Sequence, residues 1–410
     1  MGGDGPAAHR SIGAAGAPGG QSSRAWQPFY VFPARSRWLS WLLLLLLVAL
    51  SACSGSSTAS GQPPAAATTV VPTLLSRPGT LPALIQMGTF HEYALTRHSE
   101  GDMLMRPAID QQGRVWFGVM ASNRIAVFDP QRASWQTVTP PRGRGGLMGL
   151  IVAPDGSLWF AEQYANYIGH YLPRLGRFQL YPLPTVSAPD PAHKGKQLTL
   201  PVAPNELLMD RQGLIWFTEM NADALGRLDP ATGELRQYPL SARHTAQQLN
   251  PYGLAIDAQG NLWFTESSQN RIGYLDPRTG RLTTFPTPDP GAMPMEIAVD
   301  RQGQVWITTF AHNLLLRFNP ASHQFTRYAV PTPDGSSGGL YGLAPDESGG
   351  VWVTVAAANA LAHLLPEQQR FLYYPVPTAN SFPFGIAVAN RQQVWFTEAG
   401  ANQLGLLTPT

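Results

Sequence analysis

Cysteine and charge are both scarce in this chain. Its 410 residues include a single cysteine, and only 13% of them are charged. One thiol can form neither an internal disulfide nor a cysteine-based zinc cluster, so neither can stabilise the fold. The 28 basic residues nearly balance the 26 acidic ones, and the net charge of +2 provides no basic surface. We therefore expect no nucleic-acid partner.

Glycine and proline, in contrast, are abundant. The chain has 40 glycines and 38 prolines, whereas these two residue types make up about 12% of a typical protein. Together with 11 tryptophans and a hydrophobic fraction of 44%, this composition predicts many short strands joined by turns. It argues against a bundle of long helices and against long disordered tracts.

The N-terminal region has the layout of an export signal. Arg35 and Arg37 precede an apolar run at 42–50, which is shorter than the about 20 residues that a membrane-spanning helix needs. The run ends in Leu-Ser-Ala-Cys53, which resembles a bacterial lipobox, where a peptidase cuts and the cysteine receives a lipid. We predict a lipoprotein signal peptide at 1–52 and an extracytoplasmic protein anchored to the membrane through Cys53. The alternative is a plain membrane anchor with an incidental cysteine.

The segment at 53–88 is predicted to be a flexible tether after the lipidated cysteine. From Ser54 to about Ala83 it consists mainly of Ser, Gly, Ala, Thr and Pro and has no periodic apolar pattern. The folded domain is predicted at 89–410.

Seven tryptophans recur in one local pattern along that domain. They lie 43 to 57 residues apart, which is the period expected for the blades of a β-propeller. An Asn, or in one repeat an Asp, follows each tryptophan by seven residues. The tryptophans are Trp116, Trp159, Trp216, Trp263, Trp306, Trp352 and Trp395, and the polar residues are Asn123, Asn166, Asp223, Asn270, Asn313, Asn359 and Asn402.

Each repeat predicts four antiparallel strands, A to D from the centre outwards. Strand B, as in Leu262-Trp-Phe264, is apolar on consecutive residues because neighbouring blades cover both of its faces. The last repeat ends after strand C, whereas Thr89–Leu95 matches a strand D that precedes the first repeat. We predict an all-β, seven-bladed propeller in which this N-terminal strand completes the last blade and closes the ring. We expect it to be a monomer.

Two positions of the repeat are predicted to face one mouth of the central channel. At the end of strand B, four blades carry a glutamate: Glu162, Glu219, Glu266 and Glu398. Carboxylates at one level suit a divalent cation such as Mg²⁺, and the alternative is a structural role within each blade. The start of strand A is occupied by Met105, Met148, Asn205, Tyr252, Met295, Tyr341 and Phe384. Of these, Tyr252, Met295, Tyr341 and Phe384 suit a moderately apolar ligand, and the alternative is simple packing.

Candidate bases lie in loops of the same face. His244 stands in a lengthened D–A loop and His312 in a B–C loop. Long loops concentrate function. The alternative is that both histidines are solvated loop residues.

The recurring Trp-Phe-Thr-Glu followed by Asn-x-Ile-Gly-x-Leu, as in Trp263 to Leu275, resembles the virginiamycin B lyase family. The resemblance implies a seven-bladed propeller that inactivates streptogramin B antibiotics by elimination. In that reaction glutamates hold Mg²⁺ and a histidine removes the α-proton. The expected pattern is Glu-x-His at the start of a strand A and a glutamate fourteen residues later, with a second histidine one blade earlier.

This chain departs from that pattern. No blade has histidine at the start of strand A, and none has glutamate two residues before it. Only the four glutamates at the end of strand B carry over. The sequence therefore favours a non-catalytic surface propeller that binds a small molecule or an envelope protein at the channel mouth. The alternative is a metal-dependent lyase or a lactone hydrolase whose base has moved to His244 or His312.

Overall fold

The computed structural model describes residues 74–75, 83–86, 88–142, 146–190, 193–241, 249–332, 339–390 and 393–409. The predicted signal peptide, Cys53 and His244 lie outside the described residues. Within these ranges the helices are two short 3₁₀ segments, Ala356–Ala358 and Pro366–Gln368, and no helix is long and apolar enough to cross a membrane.

Short strands make up almost all of the regular structure. In chain order they are β1 (Leu74–Leu75), β2 (Ala83–Ile85), β3 (Gly88–Ala94), β4 (Ala108–Ile109), β5 (Val115–Val119), β6 (Arg124–Asp129), β7 (Ser134–Val138), β8 (Leu147–Val152), β9 (Leu158–Glu162), β10 (Tyr167–Leu172), β11 (Arg177–Pro182), β12 (Thr185–Pro189), β13 (Gln197–Pro201), β14 (Pro204–Met209), β15 (Ile215–Glu219), β16 (Ala224–Leu228), β17 (Leu235–Pro239), β18 (Pro251–Ile256), β19 (Leu262–Glu266), β20 (Arg271–Asp276), β21 (Arg281–Pro286), β22 (Pro294–Val299), β23 (Val305–Thr309), β24 (Leu314–Asn319), β25 (Gln324–Ala329), β26 (Leu340–Pro345), β27 (Val351–Val355), β28 (Ala360–Leu365), β29 (Arg370–Pro375), β30 (Pro383–Asn390), β31 (Gln393–Glu398) and β32 (Gln403–Pro409).

These strands form a seven-bladed propeller, as predicted. Blades 1 to 6 contain β4–β7, β8–β11, β14–β17, β18–β21, β22–β25 and β26–β29, and blade 7 contains β30–β32 together with β3. The N-terminal strand β3 is antiparallel to β32 from Gly88↔Pro409 to Ala94↔Gln403. The predicted ring closure is thereby confirmed.

Two additions to the ring were not predicted. Strand β2 runs parallel to β29 on the outer edge of blade 6, and β1 pairs with β2. Both strands lie in the segment predicted to be a tether, so regular structure begins before residue 88. The insertion between blades 2 and 3 forms a separate hairpin of β12 and β13.

Each tryptophan of the repeat is wedged between its own blade and the next one. All seven are at most 4% exposed. Trp306, for instance, packs with Leu340 and Val351 of blade 6, and Trp395 packs with Val115 of blade 1. The residue after each tryptophan points to the preceding blade. Replacing one of these tryptophans with alanine would leave a cavity and lower the free energy of unfolding by about 3–5 kcal/mol.

The asparagine of each repeat shapes the B–C turn. All seven residues at this position, including Asp223, have a positive φ, a conformation that Asn and Asp adopt more readily than most residues. In several blades the side chain also holds the following D–A connection. Asn270 donates to the carbonyl of Asp289 at 2.7 Å, and Asn402 donates to that of Leu95 at 2.6 Å.

A threonine two residues after the tryptophan joins neighbouring blades. The Thr265 hydroxyl accepts a hydrogen bond from the Gly253 N–H at 2.9 Å and donates to the Met295 carbonyl of the next blade at 2.7 Å. The corresponding donors of blades 3, 5 and 6 are Thr218, Thr308 and Thr354, and the equivalent residues of blades 1 and 2 are Gly118 and Ala161.

Candidate functional site

The channel mouth is built from β-bulges in the innermost strands. In blade 4 the pairing of β18 with β19 shifts register between Pro251 and Leu254, and blades 2, 3, 5, 6 and 7 have the same irregularity. A bulge bends its strand and re-aims the side chains beside it. The two residues inside each bulge, such as Tyr252 and Gly253, are therefore placed at the channel.

The four predicted ligand-binding residues do come together at this mouth. Met295, Tyr341 and Phe384 belong to one buried apolar cluster, and Tyr252 packs against it. The rings of Tyr341 and Phe384 stack with centroids 3.7 Å apart, and the Tyr252 and Tyr341 hydroxyls are in contact. Six of the chain's ten methionines belong to the cluster or pack against it: Met103, Met105, Met120, Met148, Met293 and Met295.

The rim of the mouth consists of the positions two residues before the start of strand A, and bulky residues occupy strained backbone conformations there. Two residues before the start of strand A, blades 2 to 7 adopt a positive φ, and Gly146, Asn250 and Gly339 suit that conformation. At the same position Met293 has φ 59° and Phe382 has φ 52°. A bulky residue in this region costs roughly 1–3 kcal/mol and is typical of functional sites. Both side chains are only partly buried and pack against the mouth cluster.

One residue deeper in the channel lies a buried group of charges that sequence analysis missed. Arg106 Nη1 of blade 1 is 3.0 Å from Glu206 Oε1 of blade 3, and its Nη2 contacts Glu296 Oε2 of blade 5. Burial raises the pKa of Glu206 and is only partly offset by Arg106. A signal was available, since this position is glycine in blades 2, 4, 6 and 7 and charged in the other three.

The four predicted metal ligands are not grouped in the channel but lie buried within their own blades. Each glutamate stands seven residues before a glycine of strand C, and in blade 3 a Cβ on Gly226 would lie 2.8 Å from Glu219 Oε1. Gln237 of strand D donates to Glu219 Oε2 at 2.6 Å. The carboxylate thus bends outwards along the blade.

The remaining glutamates have different surroundings. Glu266 pairs with Arg271, whose Nε is 2.6 Å from Oε2. Glu162 is fully buried, and neither of its oxygens has a hydrogen-bond partner among the described residues. Burial raises the pKa of Glu162 to about 9. Burial, with the charge of Glu92, raises the pKa of Glu398 to about 8.

Comparison with known proteins identifies the family. The profile described as "Virginiamycin B lyase family" matches residues 188–410, more than half of the chain. The chain belongs to the virginiamycin B lyase family. No curated protein sequence matches it significantly.

Solved structures of virginiamycin B lyases superimpose over most of the chain. The selenomethionine-substituted lyase from Staphylococcus aureus shares 25% identity with a TM-score of 0.67, covering 79% of this chain and 100% of that one. A streptogramin B lyase shares 26% identity with the same TM-score, covering 79% and 98%. A catalytically inactive S. aureus variant with quinupristin shares 25% identity at a TM-score of 0.66, covering 78% and 100%.

The described residues do not fit the Mg²⁺ site implied by the virginiamycin B lyase family. They contain no group of three or more His, Cys, Asp or Glu side chains that could hold a metal ion. The start-of-A positions hold Tyr341 and Phe384 in consecutive blades, and neither side chain can serve as a neutral-pH base. Of the two candidate bases, His312 is exposed in the turn between β23 and β24.

Proposed function

We propose that this member of the virginiamycin B lyase family binds an apolar or amphiphilic small molecule at the channel mouth without lyase chemistry. The observation that carries the proposal is the stacked, buried pair of Tyr341 and Phe384 at two start-of-A positions. A proton-abstracting base must lie within hydrogen-bond reach of the proton that it removes. The packed rings of Tyr341 and Phe384 place no imidazole or carboxylate at these two positions.

The rim supports a role in binding. Met293 and Phe382 keep a strained conformation that the glycines of blades 2 and 6 adopt freely. Backbone strain of this kind persists where the side chain serves another purpose. Methionine adapts its shape to different partners, which suits a surface that receives a ligand from solvent.

The proposal predicts binding without turnover. Quinupristin incubated with the protein and Mg²⁺ should keep its mass and its retention time, because opening of the lactone would change its retention, and hydrolysis would also add the mass of water. The purified protein should at the same time bind the neutral apolar dye Nile red saturably, as measured by its fluorescence. Linear quinupristin product would support the lyase alternative and overturn the non-catalytic proposal.

Variants at the rim provide the control. Phe382→Gly and Met293→Gly should weaken Nile red binding at least fivefold while changing stability by less than about 1 kcal/mol, since relief of strain offsets lost packing. Ala203→Gly makes the same backbone change in blade 3 but removes only a methyl group, so its binding should match the wild type. Equal dye affinity in all four proteins would show that the rim is not the binding surface.

We also propose that the protein is exported and anchored at the bacterial membrane through Cys53. The support is the apolar run at 42–50, which ends three residues before the chain's single cysteine. Cells fed a labelled fatty acid should incorporate the label into the wild type, and Cys53→Ser should remove it and release the protein from the membrane fraction. Equal labelling of both proteins would rule out lipidation at Cys53.

A further inference from the structure

The charged group beneath the mouth recognises a guanidinium from two sides. Glu206 comes from blade 3 and Glu296 from blade 5, so the carboxylates reach the Arg106 guanidinium from separate walls of the channel. Glu206 is 8% exposed and Glu296 is 3% exposed. Each of the two terminal nitrogens of one planar cation thus faces a different carboxylate, and a guanidinium is suited to pairing with two carboxylates at once.

The same place offers an acceptor that Arg106 does not use. Asn205 is 3% exposed, and its Oδ1 makes no hydrogen bond within the described residues. It lines a small space shared with Arg106, Glu206, Glu296 and Tyr252, whose volume of about 10 Å³ is close to that of one water position. The set therefore contains two anionic oxygen groups and one free amide oxygen, and all of them are acceptors.

Arg106 is less firmly enclosed than its partners. Its side chain is 28% exposed, whereas those of Glu206 and Glu296 are 10% and 4% exposed. Arg106 belongs to blade 1, where the innermost strand β4 has only two residues. The two carboxylates are thus more enclosed than the arginine side chain that lies between them.

We infer that this charged group is a subsite for the cationic end of the ligand, a guanidinium or primary ammonium, which takes the place of the Arg106 side chain. The inference rests on the proposed binding at the mouth, because the apolar body of such a ligand would lie on the methionine and phenylalanine rim directly above. Arg106 occupies the subsite in the free protein and withdraws when the ligand enters.

The chemistry of the walls favours an organic cation over a metal ion. Glu206 and Glu296 already contact the two terminal nitrogens of a planar donor, and the neighbouring side chains Tyr252, Tyr341 and Phe384 are aromatic. A ligand cation restores the charge balance that the carboxylates lose when Arg106 leaves, and buried carboxylates without a counter-charge are costly. Because Arg106 competes for the same carboxylates, the wild-type protein binds the ligand cation more weakly than a protein with an empty subsite would.

Butylguanidinium and its neutral analogue butylurea test the inference by calorimetric titration of the purified full-length protein. The wild type should bind butylguanidinium saturably and show no heat of binding with butylurea at equal concentration. Arg106→Gln should bind butylguanidinium at least tenfold more tightly than the wild type, because the internal competitor is gone. Glu296→Gln should bind it at least tenfold more weakly. Arg132→Ala removes an exposed arginine that is paired with Asp129 and should match the wild type.

Several outcomes would overturn the inference. They are equal affinities of the wild type for butylguanidinium and butylurea, an unchanged affinity in Arg106→Gln, and stabilisation of Arg106→Gln by Mg²⁺ or Ca²⁺ in preference to butylguanidinium. The wild-type comparison decides the matter even where a variant does not fold. Nile red binding separates the two proposals: an Arg106→Gln protein that still binds Nile red but binds butylguanidinium no more tightly than the wild type would keep the mouth function and overturn only the cationic subsite.

Discussion

Replacing Glu162 with glutamine should raise the melting temperature at pH 8 to 9 and leave it nearly unchanged at pH 5. Glu162 is fully buried without a hydrogen-bond partner among the described residues, and burial raises its pKa to about 9 from an ordinary value of 4.5. Below pH 4.5 the Glu162 carboxyl group is protonated in both the folded and the unfolded chain, so its titration removes no free energy of unfolding. As the pH rises towards 9, the unfolded chain loses the proton first, so each pH unit removes up to about 1.4 kcal/mol of stability.

Glutamine has nearly the same shape and cannot ionise, so the variant should escape this loss. Thermal unfolding from pH 5 to 9 measures the difference, which should widen steadily with pH. Glu234→Gln, at an exposed site in the β16–β17 turn, provides the matched control and should follow the wild type. Parallel melting curves for the wild type and Glu162→Gln across this range would contradict a neutral buried carboxyl group.

Replacing Gly226 with alanine should destabilise the protein by about 1–3 kcal/mol, the usual cost of an overpacked core. A Cβ at this position of β16 would overlap the ring of Phe217 and come within 2.8 Å of Glu219 Oε1. Phe217 is fully buried against the preceding blade, so its ring has little room to move. Urea unfolding measures the loss.

Blade 6 shows how the same place accepts a methyl group. There the corresponding pair is Val353 with Ala362, both fully buried. The double variant Gly226→Ala with Phe217→Val copies this pair, and its loss of stability should be smaller than the sum of the two single losses. Strict additivity of the two changes would show that the glycine is not there to accommodate the ring.

The blade count was predictable because the repeat and the blade are the same physical unit. Each tryptophan fills the space to the next blade, and an asparagine, or Asp223 in blade 3, makes the B–C turn. Every blade therefore needs both at one spacing. The closure by β3 was predictable for the same reason, since a repeat that lacks its last strand must find it elsewhere in the chain.

The site was only partly predictable. The aromatic residues at the start of strand A gather at the mouth, because that position has the same depth in every blade. The glutamates at the end of strand B were expected at this mouth too, and instead they lie against strand C. The glycine seven residues after each of them makes room mainly for the ring of the phenylalanine that follows the tryptophan, and in blade 3 Glu219 Oε1 also lies close to this place.

The contact of Arg106 with Glu206 and Glu296 could not be read from spacing. The two glutamates follow the arginine by about 100 and 190 residues, and they meet it because blades 3 and 5 face blade 1 across a closed ring. Such a contact depends on the curvature of the whole ring. The sequence showed only that these three blades carry a charged residue where the other four have glycine.

The threonine bridges divide the ring into an arc with hydroxyl links between its blades and a sector without them. Blades 3 to 7 are linked in series by hydroxyl groups that span each junction. Blades 1 and 2, with Gly118 and Ala161, have no hydroxyl at that position. Met103, Met120 and Met148 belong to these two blades, so three of the mouth's adaptable methionines lie where the ring lacks these bridges. We expect a ligand of irregular shape to be accommodated mainly beside blades 1 and 2, where flexible methionines meet the junctions without hydroxyl bridges.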